Sequence, residues 1–145
     1  TQALIARFGF CVVYDIHSYN IGRQLENGFS EPPVFNLGTT KLDQNRWKSQ
    51  IEGWLEQLSR IKLSGITTTV KENDVFSGKG ALCETLTTLD KKILVLPTEI
   101  SKIYMDEKSG MLKPKVIQEL KIGLKSAVQK HSQQVCQSLN KECVD

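Results

Sequence analysis

The sequence predicts an α/β domain of three layers, with helices on both faces of a mostly parallel or mixed sheet, and three observations carry that expectation. Two runs, Phe10–Ile16 (FCVVYDI) and Lys92–Ile100 (KILVLPTEI), are almost continuously apolar and rich in β-branched residues. Such runs are the mark of strands covered on both faces, as in parallel sheets. Between them Trp47, Ile51, Trp54, Leu58 and Ile61 recur at steps of three and four, the stripe of an amphipathic helix. Strand-like and helix-like segments then alternate along the chain, as they do in layered α/β domains.

Taken in order, Ala3, Leu4 and Ile5 lead into Arg7-Phe8-Gly9, which reads as the last turns of a helix closed by glycine. A domain that opens inside a helix implies further sequence ahead of Thr1, so the chain is expected to be the C-terminal part of a single domain. The first strand turns polar at Asp15–Asn20, and residues 21–32, polar and glycine-bearing, are expected to form a loop. Val34–Gly38 reads as a short second strand. Thr40, followed by Asp43, signals the start of the amphipathic helix, whose two tryptophans fill the core. Ile66–Val70 is β-rich, Asn73–Gly80 is a loop with two glycines, and Leu82–Leu89 is ambiguous, with a helix as one reading. Pro114 suits a first helical position, and Val116, Leu120, Leu124, Val128 and Val135 mark a long final helix.

Composition narrows the function. The chain has 145 residues, 39% hydrophobic and 24% charged, with a net charge of +3, which suits one soluble globular domain. No dense basic stripe points to nucleic acid. No apolar run approaches the roughly 18 residues that cross a bilayer, and Thr1–Phe10 lacks the layout of a signal peptide. Cysteines 11, 83, 136 and 143 show no metal-type CxxC spacing. Cys11 lies in an apolar run as an inert buried thiol, and Cys136 pairs with Cys143 only if the tail folds back. The pattern suits a reducing, cytoplasmic compartment.

Two residues stand out chemically. His17 follows a buried strand at its carboxyl end, the edge where ligand sites gather in open α/β sheets. It is either a metal ligand, oriented by Asp15 or a nearby carbonyl, or a loop histidine satisfied by backbone. Glu99 has the same address on the second strand, either as a proton acceptor or as a strand-end glutamate paired with a lysine. Together they suggest a metal that activates water and a carboxylate that removes its proton. One ligand does not make a zinc site, since catalytic zinc takes three from the protein. His131 falls in step with the apolar residues of the final helix and reads as a core-edge histidine.

These segments resemble a known family. DIHSYN at Asp15–Asn20 is similar to the strand-end motif carrying the third zinc ligand in N-formylglutamate amidohydrolases, and to the HSY motif of zinc carboxypeptidases. NLGT at Asn36–Thr39, NDVFSGKG at Asn73–Gly80 and TEISKIYMDE at Thr98–Glu107 resemble further family segments in the same order. The resemblance implies a phosphorylase/hydrolase-like fold and zinc-dependent hydrolysis of an amide bond in a small-molecule or peptide substrate. It implies His17 as zinc ligand, Glu99 as general base, and Tyr104, Met105 and Asp106 as braces of the catalytic strand. The family's other two zinc ligands precede the segment matching Thr1, so the missing N-terminal part is an implied partner. Lys102 stands where the family has arginine, and Lys79 where it often has a second glycine. Asn73, Gly78 and Lys79 line the substrate pocket on this reading, or form an ordinary glycine turn. Arg46 binds an anionic substrate group or is simply solvated. A metallocarboxypeptidase and a non-catalytic binding module that keeps the fold are the competing readings.

Overall fold

The apolar run that begins at Ile93 forms the strand around which the rest is arranged. The structure, a computed structural model, describes residues 1–142, with side chains described as far as Leu139. Its elements are α1 (Gln2–Phe8), β1 (Cys11–Tyr19), α2 (Ile21–Glu26), β2 (Phe35–Leu37), α3 (Gln44–Ser59), β3 (Val70–Glu72), α4 (Ala81–Leu89), β4 (Ile93–Ser101) and α5 (Pro114–Glu142). Strand β4 lies inside a four-stranded sheet of order β1-β4-β2-β3 and is buried along its length except at Glu99. It runs parallel to β1 and antiparallel to β2, which is itself parallel to β3. The sheet is therefore mixed and flanked by helices, as expected. No helix among the described residues is long and apolar enough to cross a membrane.

Helices α3 and α5 pack together against one face. Trp54 is fully buried there, and its indole Nε1–H donates to Thr98 Oγ1 on β4 at 2.9 Å. Tyr14 of β1 packs its ring 4.8 Å from Trp54, centroid to centroid. The core-edge position expected for His131 deepens in the structure, where the residue is 1% exposed. Its Nε2–H donates to Gln50 O and its Nδ1 accepts from Tyr14 Oη, each at 2.7 Å. With both nitrogens engaged by protein, His131 is no metal ligand. Helix α4, with Cys83 fully buried, packs on β4.

Burial lowers the His131 pKa, although its bond to the Gln50 carbonyl works the other way. The unfolded chain then holds the proton between an ordinary value near 6.5 and the lower folded value. Stability is complete above about pH 6.5 and falls as pH drops through that window, by at most ~1.4 kcal/mol per pH unit. Urea midpoints at pH 7.5 and 5.5 are expected to show this decline, and His131→Gln should flatten it.

Three expectations are corrected. Residues 21–32 are not all loop, because Ile21–Glu26 forms α2. The Glu107 carboxylate accepts from the Ile21 and Gly22 amides, the latter at 2.9 Å, and so caps a helix whose Asn20 offers no side-chain cap. That support comes from more than eighty residues further along the chain. Strand β1 is not covered on both faces: it forms a margin of the described sheet, half-buried from Val12 to Asp15 and exposed from Ile16 to Ser18. The strand expected at Ile66–Val70 begins only at Val70. The helix-start signal is sound, with Asp43 as the cap: its carboxylate accepts from the Arg46 amide at 3.0 Å. Cys143, and with it the pairing considered for Cys136, lies outside the described residues.

Candidate functional site

Register brings the two singled-out residues together. Along the parallel pair β1–β4, His17 stands level with Glu99, and Asp15 with Pro97. Side chains level with each other in adjacent strands share a face, and residues two apart along a strand share it too. Asp15, His17 and Glu99 therefore project to one side of the sheet, opposite to Tyr14, Thr98 and the α3–α5 layer. All three line a groove of about 400 Å³ whose other wall is the segment Val75–Gly80.

His17 is held from within its own strand. Its Nε2–H donates to Asp15 Oδ1 at 2.7 Å, with the His17 side chain 57% exposed and that of Asp15 13%. The bond leaves Nδ1 as the nitrogen with a lone pair directed elsewhere, the arrangement in which a carboxylate orients a metal-binding imidazole. Glu99 is half-buried. Burial pushes its carboxyl above the ordinary range, the His17 ring pulls it back, and the Asp15 carboxylate adds to the rise. A carboxyl raised in this way is a better proton acceptor than one in open water.

The opposite wall is tied down by a residue that sequence reasoning passed over. Asn36 stands level with Glu99 on β2 and is fully buried. Its Oδ1 accepts from the Asp74 and Val75 amides at 3.0 and 2.9 Å, and its Nδ2–H donates to Phe76 O at 2.7 Å. The available signals were an asparagine inside the apolar run VFNLG and its place at the head of the NLGT segment. Further along, Gly38 and Gly78 meet backbone to backbone: a Cβ on Gly38 would stand 2.2 Å from Gly78 N. Gly78 also has φ +78°, in the left-handed region that favours glycine.

Of the residues singled out in the loop, Gly78 and Lys79 line the groove, with Lys79 exposed at its rim. Asn73 does not. Its Oδ1 accepts from the Thr39 amide and its Nδ2–H donates to Thr39 Oγ1, both at 2.8 Å, so it fastens the loop from behind, at φ +53°. Arg46 is also elsewhere, exposed in the first turn of α3 with its guanidinium 5.1 Å from the centre of the Trp47 ring. Tyr104 reaches β1, donating from Oη to Ser18 Oγ at 3.2 Å. Asp106 binds within its own turn, to the Ser109 amide at 2.7 Å, and Met105 bridges to Leu112.

Among the described residues, no group of three or more His, Cys, Asp or Glu is placed to hold a metal ion. What the groove does hold is one imidazole, His17, oriented by the Asp15 carboxylate beside it.

No protein-family model and no curated protein matches the chain. Its fold is similar to that of N-formylglutamate amidohydrolase from Ralstonia eutropha JMP134, with a TM-score of 0.58 and 17% sequence identity. The match covers 97% of this chain and 49% of that one, so the chain spans about half the length of the solved protein.

Proposed function

We propose that these residues are the C-terminal part of a zinc-dependent hydrolase acting on the amide bond of an N-acyl amino acid or a similar small substrate. The observation that carries the proposal is the level placement of His17 and Glu99 on adjacent strands, facing one groove. The shared fold supports it. His17 would hold the ion through Nδ1, with Asp15 fixing the ring, and the remaining ligands would come from outside the 145 residues. Bound zinc supplies Lewis acidity, polarising a carbonyl and making water easier to deprotonate.

The chain's own residues then divide the work. Glu99 accepts a proton from the attacking water and returns it to the leaving amine as the C–N bond breaks. Its raised proton affinity serves the first transfer. The Val75–Gly80 wall, anchored by Asn36 and by the Gly38–Gly78 contact, confines the substrate beside it. Lys79 at the rim offers a cation to an anionic substrate group. A reducing, cytoplasmic setting belongs to the same proposal, supported by the free, buried thiols of Cys11 and Cys83.

Metal analysis of the longest natural chain carrying these residues tests the reading. Zinc is expected to co-purify, Asp15→Asn to weaken its binding about 10–100-fold, and His17→Ala to abolish it. A protein that neither retains nor takes up zinc would instead be a non-catalytic module on this fold. Assays with formyl- or acyl-amino acids against short peptides separate the amidohydrolase from a metallocarboxypeptidase.

A further inference from the structure

Past Phe76 the groove gives way to a second cavity. Tyr19 follows His17 on the same face of β1, two residues and so about 6.6 Å further along. Its ring meets that of Phe76 edge to face, with 5.5 Å between centroids. Both residues are held: the buried Tyr19 donates its hydroxyl to Pro33 O, and Asn36 donates to the Phe76 carbonyl. Phe76 therefore stands between the groove of His17 and Glu99 and a cavity of about 520 Å³, lining both. The far cavity has one charged wall residue, the exposed Arg23, which no ion pair among the described residues engages. Ser18, Asn20 and Asn27 add a hydroxyl and two amides, and among the described residues no carboxylate lines the space. Arg23 is also fixed from a distance. Helix α2, which carries it, is six residues long, too short to persist on its own hydrogen bonds. The Glu107 carboxylate steadies it through the Ile21 and Gly22 amides, so closely that a Cβ on Gly22 would stand 3.0 Å from Oε2.

We propose that this cavity is a second subsite of the groove, in which Arg23 binds the carboxylate of a substrate whose amide lies beside His17 and Glu99. A guanidinium offers two parallel N–H groups to the two oxygens of a carboxylate. The amides of Asn20 and Asn27 add donors without adding charge. One cation with no second beside it matches a singly charged planar group better than a phosphate dianion. Lys79, on a flexible stem at the rim of the first groove, draws an anion in without fixing its direction. Arg23, on a braced helix beyond the ring of Phe76, fixes it and so selects an acid over the matching uncharged amide. The placement of the scissile amide rests on the hydrolase reading; the carboxylate site does not.

Formyl- and acetyl-amino acids and their uncharged carboxamides are the probes, used with the longest natural chain carrying these residues. Titrating the acids into the metal-free protein is expected to shift the Arg23 side-chain N–H resonance, while the carboxamides and inorganic phosphate leave it in place. In the zinc-loaded protein, Arg23→Gln is expected to cut the kcat/KM preference for acid over carboxamide about 10–100-fold. The loss should fall on KM rather than kcat, as for binding shared by ground and transition states, and Arg23→Lys should recover part of it. A resonance that no acid shifts, or that phosphate and carboxamide shift equally, overturns the subsite. So does an acid preference that survives Arg23→Gln and is lost in Lys79→Gln. Acids that shift Arg23 in a protein hydrolysing none of the probes sink the hydrolase and leave the subsite. Hydrolysis with a silent Arg23 does the reverse.

Discussion

Glu99→Gln in the zinc-loaded, longest natural chain is expected to lower turnover about 10²-fold or more. Glutamine keeps the shape and the strand register but accepts no proton, so substrate affinity should change far less than kcat. The same substitution should raise thermal stability at neutral pH. Burial and the Asp15 carboxylate lift the folded pKa of Glu99 above its unfolded value. The folded state therefore binds the proton more tightly, and stability declines as pH rises through the ordinary glutamate range to that higher value. A neutral side chain escapes this cost. Loss of turnover with a higher melting temperature at pH 7 is the signature of a carboxylate kept for chemistry rather than for the fold. An unchanged rate would end the assignment of Glu99 as general base.

Trp54→Ala is expected to destabilise the domain by about 3–5 kcal/mol, the range for removing a large buried aromatic side chain. Trp54 is fully buried at the junction of α3, α5 and the sheet. Its ring lies against Tyr14 and His131, at centroid distances of 4.8 and 5.4 Å, and its N–H satisfies Thr98. Truncation leaves a cavity and removes the donor that holds Thr98, which precedes Glu99 in β4. Urea unfolding should show a lower midpoint with an unchanged slope. Trp54→Phe, which keeps much of the volume, should lose markedly less. Equal losses for both would mean that the hydrogen bond to Thr98, and not the packing, sustains this junction.

Much of the fold was legible residue by residue. The glycine that closes α1, the period of α3, the buried run of β4 and the proline that opens α5 are local signals, because each depends on a backbone preference or on one face of one element. His17 and Glu99 were also legible, since polarity that breaks an apolar strand at its carboxyl end is visible in the string. Other features have no local trace. Helix α2 takes its cap from Glu107, more than eighty residues away. Asn36 looked like one polar residue in a short strand, and only the folded chain shows it holding the groove wall. Asn73 and Arg46 had suitable chemistry, but pairing with Thr39 in one case and stacking on Trp47 in the other turned them away from the groove.

The sequence by itself determined which segments are helix or strand in the main and singled out His17 and Glu99 as candidates, because periodicity and residue type act over a few neighbouring positions. Only the tertiary structure decided that β1 pairs with β4 in the register that sets His17 level with Glu99, and that no described strand pairs with the far side of β1. Register is a choice among strands distant in the chain, made by the joint packing of both faces, and no single segment contains it.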